Sequence, residues 1–254
     1  MKAAEAEFDH LCILGCRLHL ADMEQSLSTI RRFVEEGTPH HVVTANAEMV
    51  YAAFREEPLR EVINRAHLVT LDGAGVVWAA RFLGYEAKER VTGIDLTMAL
   101  AELASKEKWR MYLLGAKPGV AEEAARRLTG EFPGLKIVGT YHGYFSPEQN
   151  ARVVENVREA RPHLLLVALG APYQEYWINR NLSHLEVPVS LGIGGSLDVI
   201  SGRVTRAPEV LIRLNLEWLY RLAREPRRWR RQLALPRFVF AVIRQKFGLL
   251  RIPS

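Results

Sequence analysis

Cysteine is nearly absent from this chain of 254 residues: only Cys12 and Cys16 occur, both in one apolar run near the start. With no partner pair elsewhere, a disulfide framework or a cysteine zinc site is not expected, and buried thiols in a reducing compartment are. His19 follows closely but belongs to the same strand or its exit, and three such residues do not make a metal site. No stretch reaches the roughly 18 consecutive apolar residues that span a bilayer. The opening MKAAEAEFDH carries acids and lacks an apolar core, so no secretory signal is expected there. There is no Asp-x-Asp pair and no His, Cys and carboxylate cluster at metal-ligand spacing. Repeats and low-complexity segments are missing too.

Hydrophobic residues make up 48% and charged residues 25%, an ordinary globular composition. The length suits one large α/β domain, or a core with an appendage. Charge is distributed unevenly. Residues 203–254 hold 13 Lys and Arg against 3 Glu and no Asp, a charge of +10; with +5 overall, residues 1–202 carry −5. A mildly acidic body with a strongly basic tail points to a polyanionic partner: phosphate, nucleic acid or an anionic membrane.

Short apolar runs at 11–14, 41–44, 67–71, 110–114, 135–141, 163–169 and 187–191 read as strands. Helical spacing separates them, as at 23–36, 73–83, 119–131 and 147–160. This alternation predicts an α/β fold with a mostly parallel sheet covered by helices on both faces. After residue 192 no strand is expected. Pro208 starts a helix to about 224, Pro226 breaks it, and Pro236 starts a last helix to about 250. The expected division is an α/β core at 1–202 and a helical, Arg-rich appendage at 203–254.

In open α/β sheets, ligands bind beyond the carboxyl ends of the strands. Polar residues collect there. Thr44 and Asn46 stand where a strand meets a helix, as caps or as ligand contacts. Asp72 follows a buried strand and precedes Gly73 and Gly75; it suits a general base or a helix cap. Arg90 precedes a helix start at Thr92 and Asp95, where it meets an anion or solvent. The turn Gly115–Gly119 lacks the full dinucleotide fingerprint. Tyr144 stacks on a base or packs in the core. Gln174 and Glu175 fall in a first helical turn after Gly170-Ala171-Pro172. The helix dipole explains Glu175, whereas Gln174 gains nothing from it and suits a sugar or phosphate. Asp198, after the Gly192-Ile193-Gly194-Gly195 run, accepts from ribose or uracil, or caps a helix. Without metal ligands, a bound diphosphate must be met by cations, and the tail offers Arg221, Arg224, Arg227, Arg228, Arg230 and Arg231.

The ordered set Thr44-Ala45-Asn46, Asp72-Gly73, Arg90 with Thr92-Gly93-Ile94-Asp95, Gly143-Tyr144-Phe145, Gly170 to Glu175, Gly192 to Gly195, Arg206-Ala207-Pro208 and Glu217 to Leu222 resembles the WecG/TagA/CpsF family (glycosyltransferase family 26). It extends over about residues 11–235. Tyr173 stands where the family usually has Lys, so a role for that Lys does not transfer. The resemblance implies a Rossmann-like core and an inverting transfer from a UDP-sugar, with no metal or other cofactor. The implied donor is UDP-N-acetylmannosamine, its uronic acid or UDP-glucose. The implied acceptor is an undecaprenyl-diphosphate-linked sugar, destined for teichoic acid or another surface polysaccharide. Asp72 matches the family's proposed base. Thr44, Asn46, Arg90 and Gln174 match its sugar contacts, and Arg221, Arg228 and Arg231 match its mobile appendage.

Arg237, Arg244 and Arg251 lie seven apart on the last helix, beside Phe238, Val242, Phe247 and Leu249. Such a basic amphipathic helix suits an anionic membrane, so a peripheral place on the cytoplasmic face is expected. Docking of that helix on the core or on another copy is the alternative, and a homo-oligomer stays open. Rival classes are weaker. A nicotinamide oxidoreductase needs the glycine fingerprint with an acid about 20 residues on. A nucleic-acid binder would leave the polar strand ends idle, so no nucleic-acid partner is expected. A non-catalytic membrane adaptor would make no use of Asp72.

Overall fold

The computed structural model describes residues 9–214, 216–224 and 233–252. A hairpin of β1 (His10–Ile13) and β2 (Cys16–His19) opens the chain, where the sequence predicted one strand. Leu14 and Gly15 both take positive φ, 52° and 85°, which gives the two-residue reversal that twisted strands favour.

Next come α1 (Met23–Glu36), β3 (His40–Ala45), α2 (Ala47–Arg55), α3 (Glu57–Arg65), β4 (Leu68–Leu71), α4 (Ala74–Leu83) and α5 (Gly93–Glu107). The second half holds β5 (Arg110–Gly115), α6 (Val120–Glu131), β6 (Lys136–Tyr141), α7 (Asn150–Ala160), β7 (Leu164–Ala168), α8 (Tyr173–Leu185), β8 (Val189–Gly192) and α9 (Ser196–Ile200). Six strands form one parallel sheet in the order β4-β3-β8-β7-β5-β6. Its inner strands are buried almost throughout, which is why they read as apolar runs such as Leu-Leu-Leu-Val-Ala in β7. On one face α1, α5, α6 and α9 contribute to the core around Phe33, Leu100 and Leu166. On the other, α2, α3, α4 and the hairpin close over Val43 and Val69, while α7 and α8 cover Leu165 and Val167. This is the expected α/β class, with every strand of the large sheet parallel.

Past α9 the described residues hold no strand. The helix expected from Pro208 to 224 is two: α10 (Glu209–Arg213) and α11 (Glu217–Arg224). The Leu216 N–H donates to Leu211 O at 2.8 Å, a closure that ends α10. The last helix, α12 (Ala234–Lys246), docks on the body against α2 and α4. Phe238 and Val242, expected on a membrane-facing side, instead fill the core beside Val50 and Ala80. An amphipathic helix presents the same pattern whether its apolar face meets lipid or protein. Phe240 and Phe247 do stay outside, 62% and 65% exposed, as does Leu249. Gln245 ties α12 to the hairpin: the Leu14 N–H donates to its Oε1 at 2.8 Å, and its Nε2 donates to Cys12 O at 2.8 Å. Among the described residues, no helix is long and apolar enough to cross a membrane.

The docking sets a stability test. Phe238→Ala empties a fully buried site and is expected to cost about 3 kcal/mol in denaturant unfolding. A loss below about 1 kcal/mol would mean that α12 is not part of the core.

Candidate active site

A cavity of about 900 Å³ opens at the carboxyl ends of β3, β4, β7 and β8. Thr44, Asn46, Asp72, Arg90, Tyr144, Gln174 and Asp198, separated by up to 154 positions in sequence, all line it. The parallel sheet gathers most of them, because Thr44 ends β3 and Asn46, Asp72, Tyr144, Gln174 and Asp198 follow strands that end on the same edge; Arg90 comes from the loop between α4 and α5.

Thr44 is buried, and its Oγ1 donates to Gly192 O at 3.1 Å, bridging β3 to β8. Asn46 combines both expected roles: its Oδ1 caps α2 by accepting from Met49 N at 2.9 Å, while the residue borders the cavity. Asp72 is not the cap of α4; Gly73 holds that position, with φ 99°. The Asp72 backbone N–H donates to Ala45 O at 2.9 Å, and its Oδ2 accepts from Gly93 N at 3.5 Å, at the start of α5. This sets the carboxylate beside the first turn of α5 and on the cavity wall, where a general base would act.

Arg90 does not extend into solvent. Its Nη2 donates to Ile212 O in α10 at 3.1 Å, linking the cavity wall to the appendage. A second link joins the Arg206 Nη2 to Asp95 Oδ1 at 2.6 Å, with Asp95 itself held by the capping Thr92. Tyr144 is a rim residue, 66% exposed, and not a core aromatic. Asp198 lies in the first turn of α9, whose cap is Gly195.

Gln174 and Glu175 depart most from expectation. Gln174 is only 2% exposed; its Oε1 accepts from Gly194 N at 3.0 Å and its Nε2 donates to Glu175 Oε1 at 2.8 Å. What remains for a ligand is the second hydrogen on Nε2 and the second lone pair of Oε1. Glu175, expected as a partner of the helix dipole, is fully buried, and its Oε2 has no hydrogen-bond partner. Burial pushes this carboxyl up to about 7, against the lowering effect of the Gln174 bond.

Lys117 and Trp78 are among the cavity residues that escaped the sequence reading. Lys117 comes from the Gly115–Gly119 turn, where a Cβ on Gly115 would meet the Ala168 backbone at 2.4 Å. Trp78 comes from α4; its place one turn after Ala74 and Gly75 was the available signal. Together with Arg90, Lys117 puts positive charge on the wall from the body of the protein. Glu217 and Trp218 bring α11 to the cavity. Arg221 lies in α11; Arg227, Arg228, Arg230 and Arg231 lie outside the described residues. The Arg224 Nε donates to Tyr220 Oη at 3.3 Å.

Glu175 has a testable consequence. Its carboxyl binds the proton more tightly folded than unfolded. Its contribution to stability is therefore complete below the usual carboxylate value and lost as the pH rises through about 7. Glu175→Gln removes that loss, so relative to wild type the variant gains about 2 kcal/mol between pH 5 and pH 8. Denaturant unfolding at both pH values measures this; a difference independent of pH would contradict it.

Comparison with known proteins fits this geometry. A profile described as Glycosyl transferase WecG/TagA/CpsF family matches residues 11–251. A Bacillus subtilis (strain 168) protein named N-acetylglucosaminyldiphosphoundecaprenol N-acetyl-beta-D-mannosaminyltransferase is 36% identical over 217 residues, 85% of this chain and 84% of that protein. A Staphylococcus aureus (strain MW2) protein of the same name is 32% identical over 236 residues, 92% of each. With its polar residues gathered at the strand ends of a parallel sheet, the chain belongs to the WecG/TagA/CpsF family of glycosyl transferases.

Proposed function

We propose that the protein transfers N-acetylmannosamine from a UDP donor to N-acetylglucosaminyl-diphospho-undecaprenol, with inversion and without a metal, in the synthesis of teichoic acid or a related surface polymer. The observation that carries this reading is Asp72, at a helix N-terminus on the wall of the cavity that also holds Thr44, Asn46 and Gln174. The relatives' names favour this donor sugar over glucose or the uronic acid, and favour neither rival class.

In the reaction, the acceptor hydroxyl oxygen attacks the anomeric carbon and gives its proton to Asp72. The bond from that carbon to the UDP oxygen breaks on the opposite face, and UDP leaves with the electron pair. Arg90 and Lys117 meet the growing charge, joined by Arg221, Arg228 and Arg231 of the appendage. Asn46 and Gln174 donate to the sugar, Thr44 accepts from it, and Tyr144 and Asp198 hold the nucleoside. Closure of the appendage excludes water.

UDP release by purified protein, with the lipid-linked acceptor and a panel of UDP-sugars in EDTA, tests the reading. Turnover with UDP-N-acetylmannosamine is expected, and Asp72→Asn is expected to lower it by about 10² or more. Activity that needs added magnesium would overturn the cation account, and near-normal Asp72→Asn turnover would remove the base.

The exposed Phe240, Phe247 and Leu249, with Arg237, Arg244 and Arg251, support a peripheral place on the anionic cytoplasmic face of the membrane. Each basic group near such a surface contributes about 1 kcal/mol. Co-sedimentation with phosphatidylglycerol vesicles is expected for wild type and strongly reduced for Phe240→Ser/Phe247→Ser, which leaves the buried face of α12 intact. Equal binding would refute the membrane role. Association between copies, a proposal without a surface assigned to it, is read from the mass in solution.

A further inference from the structure

The cavity has two unlike sides. Its strand-end side is polar, with Thr44, Asn46, Asp72, Arg90 and Gln174. Its helix side, where α12 packs on α2 and α4, presents Trp78, Leu235 and Val239, backed by the buried Phe238. A nucleotide sugar is polar over most of its surface, so the helix side calls for an apolar ligand group.

That side begins beside Asp72. Ala74, Gly75 and Trp78 share one face of α4, since residues three and four apart stack along a helix. A Cβ on Gly75 would lie 3.0 Å from Ala47 Cβ, so α4 is pressed close to α2 here. The Trp78 indole rests flat on Phe82, with centroids 5.2 Å apart and planes within 13°. Phe82 is fixed from behind: Lys246 Nζ lies 4.7 Å from its ring centroid and donates to its carbonyl. One indole face is thus occupied, yet Trp78 remains 37% exposed on the cavity wall. Across from it, Leu235 and Val239 share a face of α12. The next residue, Phe240, opens to the outer surface that also bears Phe247 and Leu249. Apolar side chains thus line the cavity as a track from the neighbourhood of Asp72 to α12, the helix that also carries the exposed Phe240.

We propose that this track is the seat of the acceptor's hydrocarbon chain, with the isoprene units nearest the diphosphate lying along Trp78, Leu235 and Val239. The assignment rests on the acceptor named under the proposed function. It adds that the enzyme grips the lipid itself and does not only wait at the membrane for the headgroup. The sugar end then lies towards Asp72 while the rest of the chain stays in the bilayer. Flat, rigid Trp78 gives contact area at little cost in side-chain freedom.

The test uses two soluble acceptors, N-acetylglucosaminyl diphosphate esterified with farnesol or with methanol. Their binding to the full chain is followed by calorimetry, and their turnover by UDP release. In wild type the farnesyl compound is expected to bind at least about tenfold more tightly than the methyl compound. Trp78→Ala and Val239→Ser should each erase most of that advantage while leaving the methyl acceptor's Kd and the donor's KM unchanged. The unchanged values also report an intact fold. Equal binding of both acceptors by wild type, or equal losses for both in the variants, would overturn the track. Chain-dependent binding without turnover from any UDP-sugar would leave the track standing and sink the proposed reaction. Turnover without chain dependence would do the reverse.

Discussion

A Cβ on Gly192 would lie 2.6 Å from Gln174 Nε2 and 2.8 Å from Glu175 Oε1. The site is arranged around that missing methyl group. Because β8 ends without a side chain, the first turn of α8 can press against the sheet. There Gln174 reaches the Gly194 amide, and Thr44 reaches the Gly192 carbonyl from β3. Three strand ends are thereby held in one hydrogen-bonded cluster under the cavity. The cost is a buried carboxyl at Glu175 with an unpartnered oxygen, a strain of the kind that functional sites retain.

Above that cluster the cavity divides its labour by secondary structure. Strand ends supply short polar side chains whose positions the sheet fixes. Helices supply larger ones: Trp78 from α4, Val239 from α12 and Trp218 from α11. Rigid hydrogen bonding and adaptable apolar contact thus come from opposite walls. A donor and a lipid-linked acceptor ask for those two different surfaces. Arg90 and Arg206 fasten the appendage at the boundary, through Ile212 and Asp95, so the wall contributed by α11 is tied to the core beside the reacting groups.

Much of this was legible in the sequence, for a physical reason. A parallel strand buried on both faces must be apolar along its whole length, and the first polar or glycine residue after it marks the ligand-binding edge. That rule located Thr44, Asp72, Gln174 and Asp198. It failed where direction, not position, mattered. Nothing in a first-turn Gln-Glu pair says which residue faces the sheet, so on the sequence the helix dipole alone accounts for Glu175, which is in fact buried. Phe238 and Val242 have the spacing of a lipid-facing stripe and instead meet α2 and α4. Trp78 and Lys117 needed the docked fold to reveal the cavity they border. The hairpin stayed hidden because Leu14 has no preference for positive φ; a contact from Gln245 steadies the turn, 231 residues away in sequence.

That contact also bears on how the molecule is made. One face of the core is unfinished until Phe238, Val242 and Gln245 have been synthesised, because they cover α2 and α4 and hold the first hairpin. The strands between them can pair earlier, but the helix side of the cavity has no wall until then. Until these residues emerge during translation, the apolar face of α2 and α4 stays uncovered.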